Sequence, residues 1–544
     1  MQLLRVSNLK TYATLLGFAA LMASCTKTFD KINTDKNAIA TVGPAELPFL
    51  FSAAEHVAPS TYYDYQIAEN LFADNYAQYF SVLNPSFPSD RYTMRPDWSV
   101  AAFGPKYANV MPQLQSIFAA TDSATSAEYA MANILWVWTF HRVTDYWGPI
   151  PYFSAGQTAT SIPYDPQDKI YDDFFKRLTA AVTVLKTHSG ENHYGTYDLI
   201  YGGDVDRWIK FGNSLRLRLA LRISKVDPAR AKTEAEAAVA SGVMTASAAI
   251  TDPTAMTSGD DAFVLRSAVG TDGNGLQAMS DWNEFRMSAT MASVLNGYQD
   301  PREPVYFLPA KNTGLYSGIR NGMTVAQIGL DPMKPDNNSH VGQRWSSTGV
   351  VDKNGNVLGS ATSIATAQNI MVTAESFFNR AEGVLLGWNM GGGTAQTYYE
   401  EGIRQSMTQW NITNTTVQDT YINSVATPAA PGDYFNSPPV STIPIKWGAT
   451  TDIQLQQIAT QKWLALYPDG IEAWADYRRG HYMKMYPIIK SDNPDIPDPT
   501  TNWIRRLTFL LSEQQTNGDA VTKAVGLLGP GGDKISTPLW WDKN

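Results

Sequence analysis

Trp208-Ile209-Lys210-Phe211-Gly212-Asn213-Ser214-Leu215-Arg216-Leu217-Arg218-Leu219-Ala220 places leucine and arginine side by side for more than two helical turns. The spacing predicts an amphipathic helix over 207–225, with Leu215, Leu217, Leu219, Ala220 and Ile223 interleaved with Arg216, Arg218 and Arg222. A helix that buries leucines beside arginines must offer the guanidinium groups carboxylates, because buried charges are retained where they are paired. Arginine's planar fork suits such pairing. Glu375 and Glu382, on a second predicted helix over 370–386, are the expected partners, so these arginines read as scaffold and not as ligand contacts.

Working outward, residues 126–146 carry Ile134-Leu135-Trp136-Val137-Trp138, apolar on most faces, and belong at the centre of the core. Gly148-Pro149 and Pro151 stop that helix. Helical spacing also begins near Phe49, runs through Ile67, Leu71, Tyr76 and Tyr79, and returns over 107–120, 168–186, 395–410 and 452–466. The segments 370–386 and 395–410 form a helical hairpin across Gly387 to Thr394. Prolines break 84–98 and 411–447 into loops, and 251–366 is rich in glycine, asparagine, serine and proline, with short strand-like pieces. Loops of that length are unusual unless they bind something. The expected fold is mainly α, a tetratricopeptide-like scaffold of helix pairs with long irregular loops and a few short strands, although no strict period of about 34 residues accompanies it.

At the amino terminus Arg5 and Lys10 precede an apolar run from Tyr12 to Met22, then Met22-Ala23-Ser24-Cys25. The run is shorter than the roughly 20 residues a bilayer core requires. This order predicts a lipoprotein signal peptide over 1–24, lipidation of Cys25, a polar tether over 25–48 and a body over 49–544 with its irregular insert at about 251–366. Leu21 stands one place further from the cysteine than a lipobox leucine usually does. Cys25 is the single cysteine, so no intramolecular disulfide and no cysteine-based zinc cluster can form. Net charge is -9 without a basic block, which argues against nucleic acid as a partner.

Motifs for catalysis are missing. His56, His141, His188, His193, His340 and His481 are scattered and give no His-x-x-x-His pair, so a transition-metal active site is not expected. No Gly-x-Ser-x-Gly elbow and no Gly-x-x-x-x-Gly-Lys phosphate loop is present. A glycoside hydrolase stays open as a lesser alternative, since two carboxylates leave no local signature. Asp352-Lys353-Asn354-Gly355-Asn356 has its glycine too early for a calcium loop and Ser363 where the glutamate should stand. A hairpin turn between Val350-Val351 and Val357-Leu358 is expected instead. No cofactor is expected; structural calcium elsewhere is left open, with no ligands assigned.

Several segments, in order, resemble the SusD/RagB family. They begin with Phe29-Asp30-Lys31-Ile32-Asn33-Thr34-Asp35-Lys36-Asn37-Ala38, then Thr144-Asp145-Tyr146-Trp147-Gly148-Pro149-Ile150-Pro151-Tyr152 and Tyr164-Asp165-Pro166-Gln167. The arginine and leucine helix follows, then Asp300-Pro301-Arg302, Ala374-Glu375-Ser376-Phe377-Phe378-Asn379-Arg380-Ala381-Glu382 and Gln461-Lys462-Trp463. Glu472-Ala473-Trp474-Ala475-Asp476-Tyr477-Arg478-Arg479-Gly480, Arg505-Arg506-Leu507 and Trp540-Trp541-Asp542 close the series. The resemblance is nearest to the SusD-like outer-membrane lipoproteins of nutrient uptake. It implies a helical body that sits as a lid on a SusC-type TonB-dependent transporter, captures oligosaccharide or peptide at the cell exterior and delivers it to the pore, without catalysis. A purely structural lid that leaves the ligand to the transporter is the alternative.

A saccharide site needs flat apolar faces flanked by polar groups. The resemblance carries over Trp98 as first candidate, with Tyr92, Arg91, Arg95 and Asp97 beside it. Trp282, with Asn283, Glu284 and Arg286 in the irregular middle, is the second, expected to share one platform with Trp98; Trp345 and Tyr316 are weaker candidates.

Overall fold

The computed structural model describes residues 42–544 apart from Pro96. The expected signal peptide, Cys25 and the tether as far as residue 41 lie outside the described residues. The body runs from Leu47 to Asn544. Its helices include α1 (Leu47–Val57), α2 (Met111–Ala120), α3 (Ala127–Trp147), α4 (Gln167–Leu185), α5 (Val205–Arg222), α6 (Pro228–Ser241), α7 (Gly275–Asp281), α8 (Ala289–Tyr298), α9 (Thr373–Leu385), α10 (Ala395–Gln409), α11 (Thr451–Leu466) and α12 (Gly470–Gly480). They pack chiefly as sequential pairs, α3 with α4, α5 with α6 and α9 with α10, while α11 lies against α9 and then α12. This is the mainly α, tetratricopeptide-like arrangement expected from the spacing.

Local chemistry sets the helix ends. Ser126 caps α3 by accepting the amide of Tyr129 at 3.1 Å, and Gly148, at a φ of 84° that few other residues adopt, ends it. Within α3 every residue from Ala130 to Trp147 is buried, which is why its apolar character runs round all faces. In the α9–α10 pair, a Cβ at Gly402 would stand 2.8 Å from the Phe378 ring, so glycine is what lets these helices approach.

Several helices escaped the sequence reading, among them α6, α12, Gly518–Leu527 and Thr415–Ile422, the last inside the stretch expected as loop over 411–447. The buried stripe of α6 consists of Ala231, Ala235 and Ala238, too small to give strong apolar periodicity. The inward face of α12 includes Glu472, Asp476, Arg478 and Arg479, whose burial in ion pairs hides a helix from a hydrophobicity pattern. The helix expected over 370–386 begins only at Thr373, because the preceding residues form strand β4 (Gln368–Met371), paired antiparallel with β2 (Ala262–Val264). The middle region is also more ordered than expected. It contains α7, α8 and strand β3 (Phe285–Met287), which pairs antiparallel with β1 (Phe80–Val82) in the register Phe80↔Met287. Ala289 to Leu295 of α8 are all buried, so no polar face marked it as a helix.

Where α5 meets α9 and α12, the core is charged. Arg218 donates to both oxygens of Glu375, at 2.8 and 2.5 Å. Arg222 donates to Glu472 at 2.6 Å and lies 3.3 Å from Asp145, which also accepts the Tyr171 hydroxyl and the Trp541 indole. Arg479 holds Glu382 through two bonds of 2.6 and 2.7 Å and shares Asp476 with Lys462. Burial works against charge at Arg218, Arg222 and Asp476, yet the surrounding carboxylates hold the two arginines above their ordinary values, and Lys462 and Arg479 hold Asp476 below its own. Removing one member of such a buried pair costs about 3–5 kcal/mol, because the other is left unpaired. Glu375 is thus the expected partner of this helix, through Arg218, whereas Glu382 is not: it is taken by Arg479 of α12, Arg222 is answered by Glu472, and Arg216 pairs nearer the surface, with Glu234 at 2.5 Å.

Candidate ligand-binding site

Trp282 follows directly on α7 and leads through Asn283 and Glu284 into β3. It is 42% exposed, unlike most tryptophans of the chain. Its ring stacks on Tyr63, which is 57% exposed, with centroids 5.9 Å apart and planes at 29°. Tyr62 stands edge-on to both, 4.4 Å from Tyr63 and 6.5 Å from Trp282. The two segments meet because Gly275 opens α7 against the short helix Tyr62–Tyr65: a Cβ there would lie 2.3 Å from that of Tyr65. An adjoining amide from Tyr62 to the Gly273 carbonyl, 3.3 Å, ties the same junction.

Polar groups flank these rings. Gln66 donates to Glu284, whose carboxyl is raised by partial burial. Asn283 occupies the left-handed region, φ 59°, which asparagine tolerates better than most residues, and its side-chain oxygen accepts from Arg286. Asp281, Asn283 and Arg286 open onto a cavity of about 300 Å³ whose far wall includes Lys311, Asp336 and His340, with Val350, Val351 and Leu358 of the hairpin at one edge. Burial lowers Arg286 to about 10 and His340 to about 3, so His340 is neutral and bonded through Nε2 to the Ser280 carbonyl. Asp281 is raised by burial while accepting from Gln277 at 2.7 Å. Flat rings beside amide, carboxyl and guanidinium groups can stack on sugar faces and bond sugar hydroxyls.

The hairpin turn is present: Val351 pairs with Val357, Gly355 takes φ 85°, and Asp352 accepts the amides of Asn354 and Asn356. A larger groove, about 510 Å³, lies between Phe49, Tyr197 and Leu265; on its wall His56 stands 3.4 Å from Asp272, and Arg266 is turned to Gln368 outside the groove at 3.0 Å.

Trp98 is half-buried, with the Arg95 guanidinium 4.8 Å over its ring and Phe87 edge-on at 5.5 Å; Arg95 and Asp97 are exposed beside it. No hydrogen bond, ion pair or ring contact among the described residues joins this patch to Trp282. Two expected ligand contacts are corrected by their burial. Arg91, 6% exposed, pairs with Asp492 at 2.7 Å and bonds the Met323 carbonyl, and Tyr92 is buried against Tyr76. Both hold the loop from inside. Trp345, 2% exposed, is core, packed on Trp410 and Tyr467; Tyr316 is half-buried.

A family model described as SusD-like, "Susd and RagB outer membrane lipoprotein", matches residues 30–542. The chain belongs to this family. Among solved structures, a chitin-binding SusD homolog from Flavobacterium johnsoniae is 32% identical, with a TM-score of 0.79 over 92% of this chain and 99% of that one. A SusD homolog from Bacteroides uniformis is 30% identical, TM-score 0.78, with the same coverage of 92% and 99%. A further chitin-binding protein is 25% identical, TM-score 0.72, covering 92% of this chain and 100% of that one. No curated protein sequence matches. No helix among the described residues of this SusD-like chain is long and apolar enough to cross a membrane.

Of the candidate aromatic cluster and its polar neighbours, the sequence reading included Trp282, Asn283 and Arg286 and did not include Tyr62 and Tyr63. Those tyrosines open a helix, where aromatics are read as core, and the available signal was the doubled Tyr-Tyr preceding a helix whose next turns are apolar.

Proposed function

We propose that this SusD-like protein is an outer-membrane lipoprotein, anchored through Cys25 and facing the cell exterior, that captures oligosaccharide on the Tyr62, Tyr63 and Trp282 rings and delivers it to a SusC-type TonB-dependent transporter. The observation that carries the reading is the exposed Tyr63–Trp282 stack beside a polar cavity, on a scaffold whose other large aromatics are mostly buried. Rings held in place by α7 and β3 lose little freedom when they meet a sugar, which favours binding. The Trp98, Arg95 and Asp97 patch serves as a second contact zone for a longer chain. Chitin oligosaccharides are the first ligands to try, since two structural relatives are described as chitin-binding. The role is binding, without catalysis.

The test is calorimetric titration of the body lacking the lipid anchor with N-acetylglucosamine oligomers, other glycans and peptides, alongside co-purification from detergent-solubilised outer membrane. Saturable oligosaccharide binding and recovery of a transporter barrel support the reading. Recovery of the barrel with no ligand bound by the isolated body gives the structural lid instead, and release of reducing ends during titration gives the glycosidase.

A further inference from the structure

Two of the six histidines, read from the sequence as scattered, meet in the turn after α4. His188 closes a short 3₁₀ turn over Lys186–His188, and the pattern His188-x-x-Glu191-x-His193 follows. One oxygen of Glu191 lies 2.8 Å from Nδ1 of His188 and 2.9 Å from Nε2 of His193. The ligand atoms of the three side chains all fall within 4.8 Å of one another.

The outer nitrogens are the second observation. Nε2 of His188 lies 2.8 Å from the Thr125 carbonyl, and Nδ1 of His193 lies 2.8 Å from the Glu128 carboxylate. Both partners can only accept, so both outer nitrogens carry the proton. In a neutral imidazole the inner nitrogens are then lone-pair donors, and both are aimed at the same carboxylate oxygen. Each ring is thus held from behind by an acceptor while its inner nitrogen faces the shared Glu191 oxygen. A histidine oriented from behind by a carboxylate or a backbone carbonyl is the arrangement that recurs around bound metals.

We propose that His188, Glu191 and His193 bind a divalent transition-metal ion of the zinc class. Two imidazoles and one carboxylate favour such an ion over calcium or magnesium, which prefer all-oxygen shells. Bonds of about 2.0–2.2 Å in tetrahedral geometry separate ligand atoms by about 3.4 Å, more than the 2.8 and 2.9 Å nitrogen–oxygen contacts, so the Glu191 carboxylate moves outward to admit the ion. That carboxylate is half exposed and free to move, whereas the rings are held. The backbone is fixed as well: the His193 amide bonds the Gly203 carbonyl at 2.9 Å, and a Cβ at Gly203 would stand 2.2 Å from the His193 carbonyl oxygen. Three protein ligands leave a fourth position open to solvent, and the bound ion pins the turn between α4 and α5 to the start of α3.

The test uses the full chain, stripped with chelator and titrated with zinc chloride by calorimetry and with cobalt chloride by visible absorption. One ion per chain is expected, with a cobalt spectrum of tetrahedral intensity and a rise in melting temperature on adding zinc. His188→Ala and His193→Ala should each weaken binding at least ~10-fold, and Glu128→Gln, which acts only from behind the His193 ring, should also weaken it by about 10-fold. His481→Ala, distant in sequence and outside the cluster, is the control and should bind as the parent does. The chelated variants should melt with the parent, because these side chains lie near the surface. Absence of zinc binding overturns the proposal, as does zinc binding that neither histidine substitution weakens.

Discussion

The body carries two concentrations of side chains that sequence reasoning associates with binding, and they have opposite fates. At the junction of α5, α9 and α12, arginines and glutamates are fully buried and answer one another at 2.5 to 2.8 Å. At the junction of α7 and the helix opening with Tyr62, large aromatics are left half exposed, stacked and unanswered by protein. Charge, the property most often taken as a sign of function, is here the scaffold. Apolar surface, the property most often taken as core, is here the candidate site. Access separates the two: the paired charges are sealed inside the scaffold, and the rings face solvent.

The comparison breaks most visibly at the buried end. Glu375→Ala leaves Arg218 without its two-bond partner and should destabilise the protein by about 3–5 kcal/mol in denaturant unfolding. A change of under 1 kcal/mol would mean that the pair contributes little to the scaffold.

Asp74 sharpens the same side, because it is a buried carboxyl with no cation of its own. It accepts the Tyr65 hydroxyl at 2.6 Å, its other oxygen is unpartnered, and burial raises it to about 8. The folded protein therefore keeps a proton that the unfolded chain has released above about pH 4. The stability this group lends is complete below pH 4 and is lost as pH rises towards 8, at no more than ~1.4 kcal/mol per pH unit. Asp74→Asn should flatten that dependence, so the melting temperature of the variant relative to the parent should climb between pH 5 and 8. Parallel curves would show Asp74 ionised throughout.

On the exposed side, Trp282→Ala should weaken oligosaccharide binding by about 2 kcal/mol, ~30-fold, while changing stability by less than about 1 kcal/mol. An unchanged affinity with a large fall in melting temperature would move Trp282 into the core category. The smallest effect is expected at Trp98, whose contacts with Arg95 and Phe87 are worth about 0.5–1 kcal/mol at such a site. Trp98→Ala should cost that much stability and should weaken long oligosaccharides more than short ones; equal weakening of both would place it in the central site.

Much of this was legible in the chain itself. Leucine and arginine alternating over 207–225 required buried carboxylates, and Glu375 was identifiable as a partner, whereas Glu382 answers Arg479 and the partner of Arg222 is Glu472, on the helix that the pattern did not show. The helices with strong apolar periodicity were placed to within a few residues, whereas α6 and α12 were lost for want of large apolar side chains. Trp282 was legible as an aromatic among polar loop residues. Tyr62 and Tyr63 were not, since their meeting with Trp282 depends on the close approach at Gly275, which no local pattern encodes. Arg91 and Tyr92 failed for the converse reason: a proline-rich loop gives no periodicity from which burial can be read, and Asp492, which holds Arg91, is distant in the chain. The histidine cluster was passed over because its ligands sit on a turn, outside the helical spacing by which such pairs are recognised.

The most direct measurement is a crystal structure of the body with its tightest-binding oligosaccharide. A sugar ring lying against Trp282 and Tyr63, with hydroxyl or amide groups reaching Asn283 and Asp281, is the predicted result. A ligand seated in the groove between Phe49 and Tyr197, with the Tyr63–Trp282 stack untouched, would contradict the account.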